Sequence, residues 1–398
     1  MGGYEDIMNI KLLKNGKVYT PECVGIKDVL IINDKIISIS ENIPKSSIHT
    51  LDKKAKIINA SGCIVVPGFI DQHIHINGAG GEGGPQYRTD PVELSKLVKG
   101  GITSVVGLLG IDGCARSLRA LLMKAKGLEK EGISAWIYTG AYQYPSPTIT
   151  EGIISDLMLI DKVIGVKIAL SDHRSSHPTV GELTKIASDA RVGGMMAGKP
   201  GIVHIHMGEE KVGLNPLFNI IENTQIPIKQ FAPTHLNRNE LLFKQAIEFG
   251  KRGGYMDLTA GSSNEKKLKA SKAVSRLVKT GVSLKNITIS TDGNGSMPKF
   301  NERKEIISMQ IASVDSLYRE FFDMVKKEKL PIENAVRVTS TNIAEHLKLE
   351  KKGKVKKDKD ADLIIFDKDT LRMKYVIAKG KVLMENEQVK VLGTFEKK

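Results

Sequence analysis

The sequence predicts a (β/α)8, TIM-like barrel joined to a small β-sandwich domain that both ends of the chain build together. Three observations support this. Eight short, strand-like runs are interleaved with amphipathic helical stretches across the middle of the chain. Runs of strand character with turn residues between them occupy both ends. Four of the nine histidines stand at the ends of the central runs, where such a barrel places its reactive groups.

At the start of the chain, Lys11–Tyr19, Val29–Ile39 and Ile57–Val66 read as strands, with Asn15-Gly16 and Asn33-Asp34 as hairpin turns. Near the end, Asp362–Asp367 and Tyr375–Leu383 read as paired strands. Residues 1–66 and 350–398 are therefore assigned to the small domain and 67–349 to the barrel. The barrel strands are expected over Phe69–Ile76, Thr103–Leu109, Ala135–Ala141, Val163–Leu170, Ile202–Met207, Gln230–His235, Tyr255–Thr259 and Ile287–Thr291. Leu118–Lys130, Asn239–Lys251 and Lys266–Lys279 carry helical periodicity between them. Two more helices, Arg303–Lys327 and Ile332–Leu347, are expected after the last strand.

With 398 residues, 41% hydrophobic and 26% charged, the chain can bury a large core. Its first residues, Met1 to Asp6, are polar and precede no apolar signal core, and no run of about 18 apolar residues occurs. A cytoplasmic protein without membrane contact is the expectation. Cys23, Cys63 and Cys114 lack metal-knuckle spacing and read as buried thiols in a reducing compartment. The formal net charge of +14 is spread along the chain with no nucleic-acid motif, so it reads as a solvated lysine surface and not as a nucleic-acid face. Lys351-Lys352 and Lys354–Lys359 read as surface loop.

The densest chemistry lies between Pro67 and Pro85. On a strand, His73 and His75 point the same way and can chelate one divalent ion. The glycine-rich turn that follows, Gly80-Gly-Glu82-Gly-Gly84, carries one carboxylate, placed to bind a cationic group. Other strands close on reactive residues too. Strand three leads to Tyr142, strand four carries Lys167, and strand five ends in His204-Ile-His206. Strand six ends in His235 and Arg238, and strand eight in Asp292-Gly-Asn-Gly-Ser296.

This ordered set resembles the amidohydrolase superfamily of metal-dependent hydrolases. More narrowly it is similar to the isoaspartyl (β-aspartyl) dipeptidases. The matching segments are Gly68–Pro85, Val105–Gly110, Thr139–Tyr142, Ser171–Arg174, Pro233–Arg238 and Thr291–Ser296. The resemblance implies zinc-dependent hydrolysis of the β-aspartyl peptide bond in dipeptides. One zinc would be held by His73, His75 and Asp292, the second by His206 and His235, with Lys167 between them. An ammonium has no lone pair, so a bridging Lys167 must be N6-carboxylated. A hydroxide generated at the metals would attack, with Asp292 as general base and then acid and Tyr142 donating to the oxyanion. Glu82 would take the substrate's α-ammonium within the turn that opens at Gly80, and Arg174, Arg238 and Ser296 its carboxylates. A homo-oligomer is also implied.

The chain departs from the family at Ile111, where a threonine is expected. His204 reads as a packed residue or a support for the ligands, and His173 and His177 as loop groups. His49 and His346 fall outside the barrel strands. Two other readings stay open: a cyclic-amide hydrolase of dihydroorotase or hydantoinase type, and a non-catalytic binding scaffold. Glu82 separates the first, because a cyclic amide has no ammonium for it. Filled ligand positions argue against the second. Histidine and carboxylate ligands alone admit zinc, cobalt, manganese or iron.

Overall fold

In the computed structural model, which describes residues 9–261, 268–303 and 305–397, the middle of the chain closes into the barrel. Six parallel strands lie side by side in chain order: Phe69–Ile74, Ile102–Gly107, Ser134–Gly140, Val163–Leu170, Ile202–Met207 and Phe231–Thr234. Met256–Thr259 and Ile287–Ser290 pair as the seventh and eighth. Backbone bonds close both seams. Leu236 N donates to Asp257 O at 3.3 Å, Asp292 N to His73 O at 3.0 Å and His75 N to Gly293 O at 3.0 Å. The strands are rich in Val and Ile and buried along nearly their whole length, as a parallel sheet covered on its outer face requires.

Helices between the strands begin where the side chains can cap them. Ser117 accepts from Ala120 N, Thr179 and Glu182 form a capping box, and Asn239 accepts from Leu242 N. Their apolar faces, including Leu121, Leu128, Leu183, Ile186, Phe243 and Phe249, pack on the barrel wall.

Both ends of the chain meet in one nine-stranded sheet. The strand Cys63–Pro67 pairs antiparallel with Leu363–Asp367, and only Gly68 separates it from the first barrel strand. The His73–His75 segment is thus held by the sheet at its start and by the eighth barrel strand at its end. Leu13, Val18, Ile31, Val65, Leu363 and Ile365 form the buried core of the terminal sheet.

Several expectations are corrected. Asn15-Gly16 is not a hairpin turn: it sits inside the unbroken strand Ile10–Tyr19 as a bulge, with Asn15 at φ +61°. Val29–Ile39 divides at the Asn33-Asp34 turn into parts of Cys23–Ile32 and Lys35–Ser40. Ile57–Val66 divides into Lys56–Asn59 and Cys63–Pro67, and Tyr375–Leu383 bends at Lys379-Gly380 into a hairpin. The helix Arg303–Lys327 is overturned in its first half. Ser296–Phe300 and Ile306–Ile311 pair as an antiparallel hairpin, and the helix runs only over Ser316–Lys326. Ile306, Ile307 and Ile311 are β-branched and lose side-chain freedom in a helix, which favours the strand. Lys304 lies outside the described residues, as do the start of the helix expected over Lys266–Lys279, seen as Ala270–Lys279, and the polar segment Met1 to Asp6. Ile332–Leu347 is helical but passes through a π-turn at Arg337–Thr341.

Cys63 is buried, whereas Cys23 and Cys114 are exposed. Lys352 is not on the surface: it is buried between Asp360 and Asp362, at 2.8 and 2.6 Å. Among the described residues no helix is long and apolar enough to cross a membrane.

Candidate active site

The carboxyl ends of the barrel strands bring the histidines of strands one, five and six together with Lys167 and Asp292. Asp292 Oδ1 lies 3.3 Å from His73 Nε2 and 3.1 Å from His75 Nε2. Two site residues, His235 at φ +64° and Asp292 at φ +53°, hold left-handed backbone that non-glycine residues rarely adopt, and such strain concentrates at working sites. Lys167 Nζ points from strand four to within 3.4 Å of His73 Nε2. It is fully buried, and no carboxylate pairs with it among the described residues. Burial pulls its amine down to about 7, and burial followed by the Lys167 charge pulls His73 to about 3. Burial likewise keeps His206 and His235 neutral. Burial alone would raise Asp292, but hydrogen bonds from His73 and His75 outweigh it and hold the carboxylate ionised.

Each imidazole is oriented by a neighbour. His73 Nδ1 meets His204 Nε2 at 2.8 Å, and His204 stacks on the Tyr138 ring at 4.9 Å. His235 Nδ1 meets Thr259 Oγ1 at 2.5 Å, which leaves its Nε2 without a partner among the described residues. His206 Nε2 meets Asp172 Oδ2 at 2.9 Å, and its Nδ1 faces the Tyr142 hydroxyl at 2.6 Å. Beneath these groups the barrel interior is polar. Asp257 accepts bonds from Gln72, Thr234, Thr288 and Ser290, while Asp71 accepts from Thr291 and from His73 N.

At the mouth, Glu82 Oε1 takes Arg174 Nη1 at 3.2 Å, and Ser296 Oγ lies 2.9 and 3.0 Å from the two carboxylate oxygens. Arg174 also donates Nε and Nη2 to Asp172, each at 2.9 Å. Arg238 Nη1 stands 3.8 Å from the same carboxylate. A cavity of about 450 Å³ opens here, lined by Glu82, Ile111, His173, Arg174, Phe300 and Ile306. Gly80 does not line it. Its φ of +88° lets the turn pass Tyr87 O, where a β-carbon would come within 2.2 Å. His177 pairs with Glu210 in an exposed loop, and His346 is buried against Tyr255 outside the barrel strands. His49 is exposed.

The amidohydrolase family model matches residues 233–390. A β-aspartyl dipeptidase from Fervidobacterium islandicum, solved in complex with β-Asp-Leu, is 43% identical, covers 97% of this chain and 100% of its own, and superposes with a TM-score of 0.90. The chain belongs to the β-aspartyl dipeptidase family of amidohydrolases. A second structure from that organism gives 42% identity and a TM-score of 0.88, with coverage of 97% and 100%. Dihydroorotase from Elusimicrobium minutum is 38% identical over 96 residues, 24% of this chain and 20% of that protein. The chain thus spans about a fifth of the length of that curated relative.

Membership in the β-aspartyl dipeptidase family makes the chain an amidohydrolase-type hydrolase and raises the question of metal. The residues fit it. His73, His75 and Asp292 offer ligand atoms within 4.8 Å of one another. His235 Nε2 is an orphaned buried nitrogen, and Lys167 is a buried amine faced by imidazoles. Imidazole and carboxylate donors of this kind suit zinc and its first-row neighbours. The reading from sequence missed Asp172, Thr259 and the cavity wall formed by Phe300 and Ile306. Asp172 stood in view within Ser171-Asp-His-Arg174, but nothing local in that run distinguishes a shared carboxylate from a loop residue.

Proposed function

We propose that this chain hydrolyses the β-aspartyl (isoaspartyl) bond of dipeptides at a binuclear zinc site. The observation that carries the reading is the Glu82–Arg174 pair, 3.2 Å apart at the mouth of the histidine cluster. One anion and one cation so placed suit the α-ammonium and α-carboxylate that an isoaspartyl unit leaves free, and a cyclic amide presents no such pair. The relative complexed with β-Asp-Leu supports it.

His73, His75 and Asp292 would hold one metal and His206 and His235 the other, with N6-carboxylated Lys167 between them. When bound, the metals polarise the scissile carbonyl and acidify water. The neutral Lys167 amine would add to carbon dioxide and release a proton, and the anionic carbamate so formed would offer oxygen donors where an ammonium facing imidazoles offers none. Asp292, ionised, takes the proton of the attacking water and returns it to the leaving amine. Tyr142, which burial keeps protonated, donates its hydroxyl hydrogen to the developing oxyanion. Glu82, carried on the turn that opens at Gly80, binds the ammonium, while Arg174, Arg238 and Ser296 receive the carboxylates. The same reading includes a cytoplasmic homo-oligomer divided into a terminal domain, 1–66 with 350–398, and a barrel, 67–349.

The test compares kcat/KM of the zinc-loaded protein for β-Asp-Leu and for dihydroorotate. Turnover of β-Asp-Leu without dihydroorotate is expected. The opposite outcome would support the cyclic-amide reading that the partial dihydroorotase match suggests.

A further inference from the structure

Asp172 has no role among the residues assigned above, yet it contacts Arg174 and His206 and faces Arg238. It is 3% exposed. Its Oδ1 receives Arg174 Nε and Arg174 N, both at 2.9 Å, and its Oδ2 receives Arg174 Nη2 at 2.9 Å. That same Oδ2 receives His206 Nε2 at 2.9 Å and stands 3.8 Å from Arg238 Nη1. The paired contact with the guanidinium is the planar, two-bond geometry that fixes an arginine's orientation.

The backbone is built around this carboxylate. Ser171, at φ +54°, turns the end of strand four so that the next side chain faces inward. Ser175 N bonds to Asp172 O at 2.8 Å and closes the loop. Gly208, two residues past His206, passes so close that a β-carbon there would stand 2.5 Å from Asp172 Cβ. Strand five can deliver His206 to this carboxylate only because residue 208 has no side chain.

Two consequences follow. With Nε2 of His206 committed to Asp172, the nitrogen turned toward the other site groups is Nδ1, which stands 2.6 Å from the Tyr142 hydroxyl. With two of its donors held by Asp172, Arg174 presents its remaining N–H groups toward Glu82 and the cavity. A single buried carboxylate therefore joins the reader of the substrate's carboxylate to a proposed metal ligand.

We propose that Asp172 is a positioning residue that sets the Arg174 guanidinium for substrate and the His206 ring for metal at the same time. This rests on the dipeptidase reading above. Removing it should act on substrate binding through one arm and on metal retention through the other.

The experiment uses full-length protein with Asp172→Asn, Arg174→Gln and the double variant. Steady-state kinetics on β-Asp-Leu, calorimetric binding of L-aspartate, zinc per chain and Tm are measured for each. Asp172→Asn should raise KM and the L-aspartate Kd about tenfold or more, for the loss of charge-assisted bonds to arginine. It should also bind less zinc per chain. In the Arg174→Gln background the same change should move KM and Kd by no more than about twofold, while the zinc loss persists. Unchanged Kd, KM and zinc with a lowered Tm would show a merely structural residue and overturn the proposal. Full additivity of the two substitutions in Kd would overturn it as well. If Asp172→Asn does not fold, Asp172→Glu keeps the charge but displaces it, and wild-type Kd and zinc in that variant would contradict positioning. A wild-type protein inactive on β-Asp-Leu would instead defeat the dipeptidase reading, a result distinct from these.

Discussion

His73 Nδ1 lies 2.8 Å from His204 Nε2, so one buried imidazole orients another. Metal-bound histidines are more often held by a carboxylate or a backbone carbonyl. Here the supporting ring is itself stacked on Tyr138 and kept neutral by burial. The arrangement directs His73 Nε2 toward Asp292 and Lys167. Replacing the support, as in His204→Ala, should weaken zinc binding roughly 10–100-fold, as loss of an orienting partner does elsewhere. Chelator competition reads this directly, and an unchanged affinity would show His204 to be packing alone.

Lys167→Ala should lose zinc and activity together, since the proposed carbamate joins both halves of the site. Short carboxylates such as acetate or propionate should restore part of each. A variant that keeps full zinc and full turnover would exclude the bridge.

Glu82→Gln removes one charged partner from the proposed ammonium site. A charge-assisted hydrogen bond contributes about 1.5–3 kcal/mol, so kcat/KM for β-Asp-Leu should fall roughly 10–100-fold. N-succinyl-leucine, which lacks the ammonium, provides the control. Its much slower hydrolysis should not fall further in the variant, and an equal loss on both compounds would remove Glu82 from ammonium recognition.

Stability should depend on pH through His346. Burial pulls its ring down to about 4 from an ordinary value near 6.5, although the ring donates to Lys285 O at 2.8 Å. Between these values the unfolded chain binds a proton that the folded chain excludes, so stability falls as pH falls. The contribution lost between pH 7 and pH 5 is roughly 2 kcal/mol. Urea unfolding at the two pH values should show a smaller loss in His346→Gln, and equal losses would assign the pH dependence to other groups.

The parts legible in sequence are those with a local signature. His73 and His75 alternate on one strand, and Lys167 is a lone charge in an apolar run, so each announces itself. The barrel strands were visible because parallel strands buried on both faces are continuously apolar. Asp172 had no such signature, because it joins its near neighbour Arg174 to His206 and Arg238, which are distant in sequence. The hairpin Ser296–Ile311 was hidden for another reason: its isoleucines precede a true amphipathic helix and extend that helix's apparent period. Its consequence is functional, since Phe300 and Ile306 wall the cavity beside Ile111, the position where the family resemblance had called for a hydroxyl.

The most direct measurement gives the zinc-loaded protein β-Asp-Leu and α-Asp-Leu side by side under the same conditions. The two share every atom type and differ in which aspartyl carboxyl forms the peptide bond, which also shifts where the free carboxylate stands relative to Arg174 and Arg238. The expected result is rapid hydrolysis of the β-linked dipeptide with kcat/KM at least about 100-fold above the α-linked one, equivalent to roughly 2.7 kcal/mol of discrimination. Equal turnover of the two, or none of the β-linked dipeptide, would contradict the account.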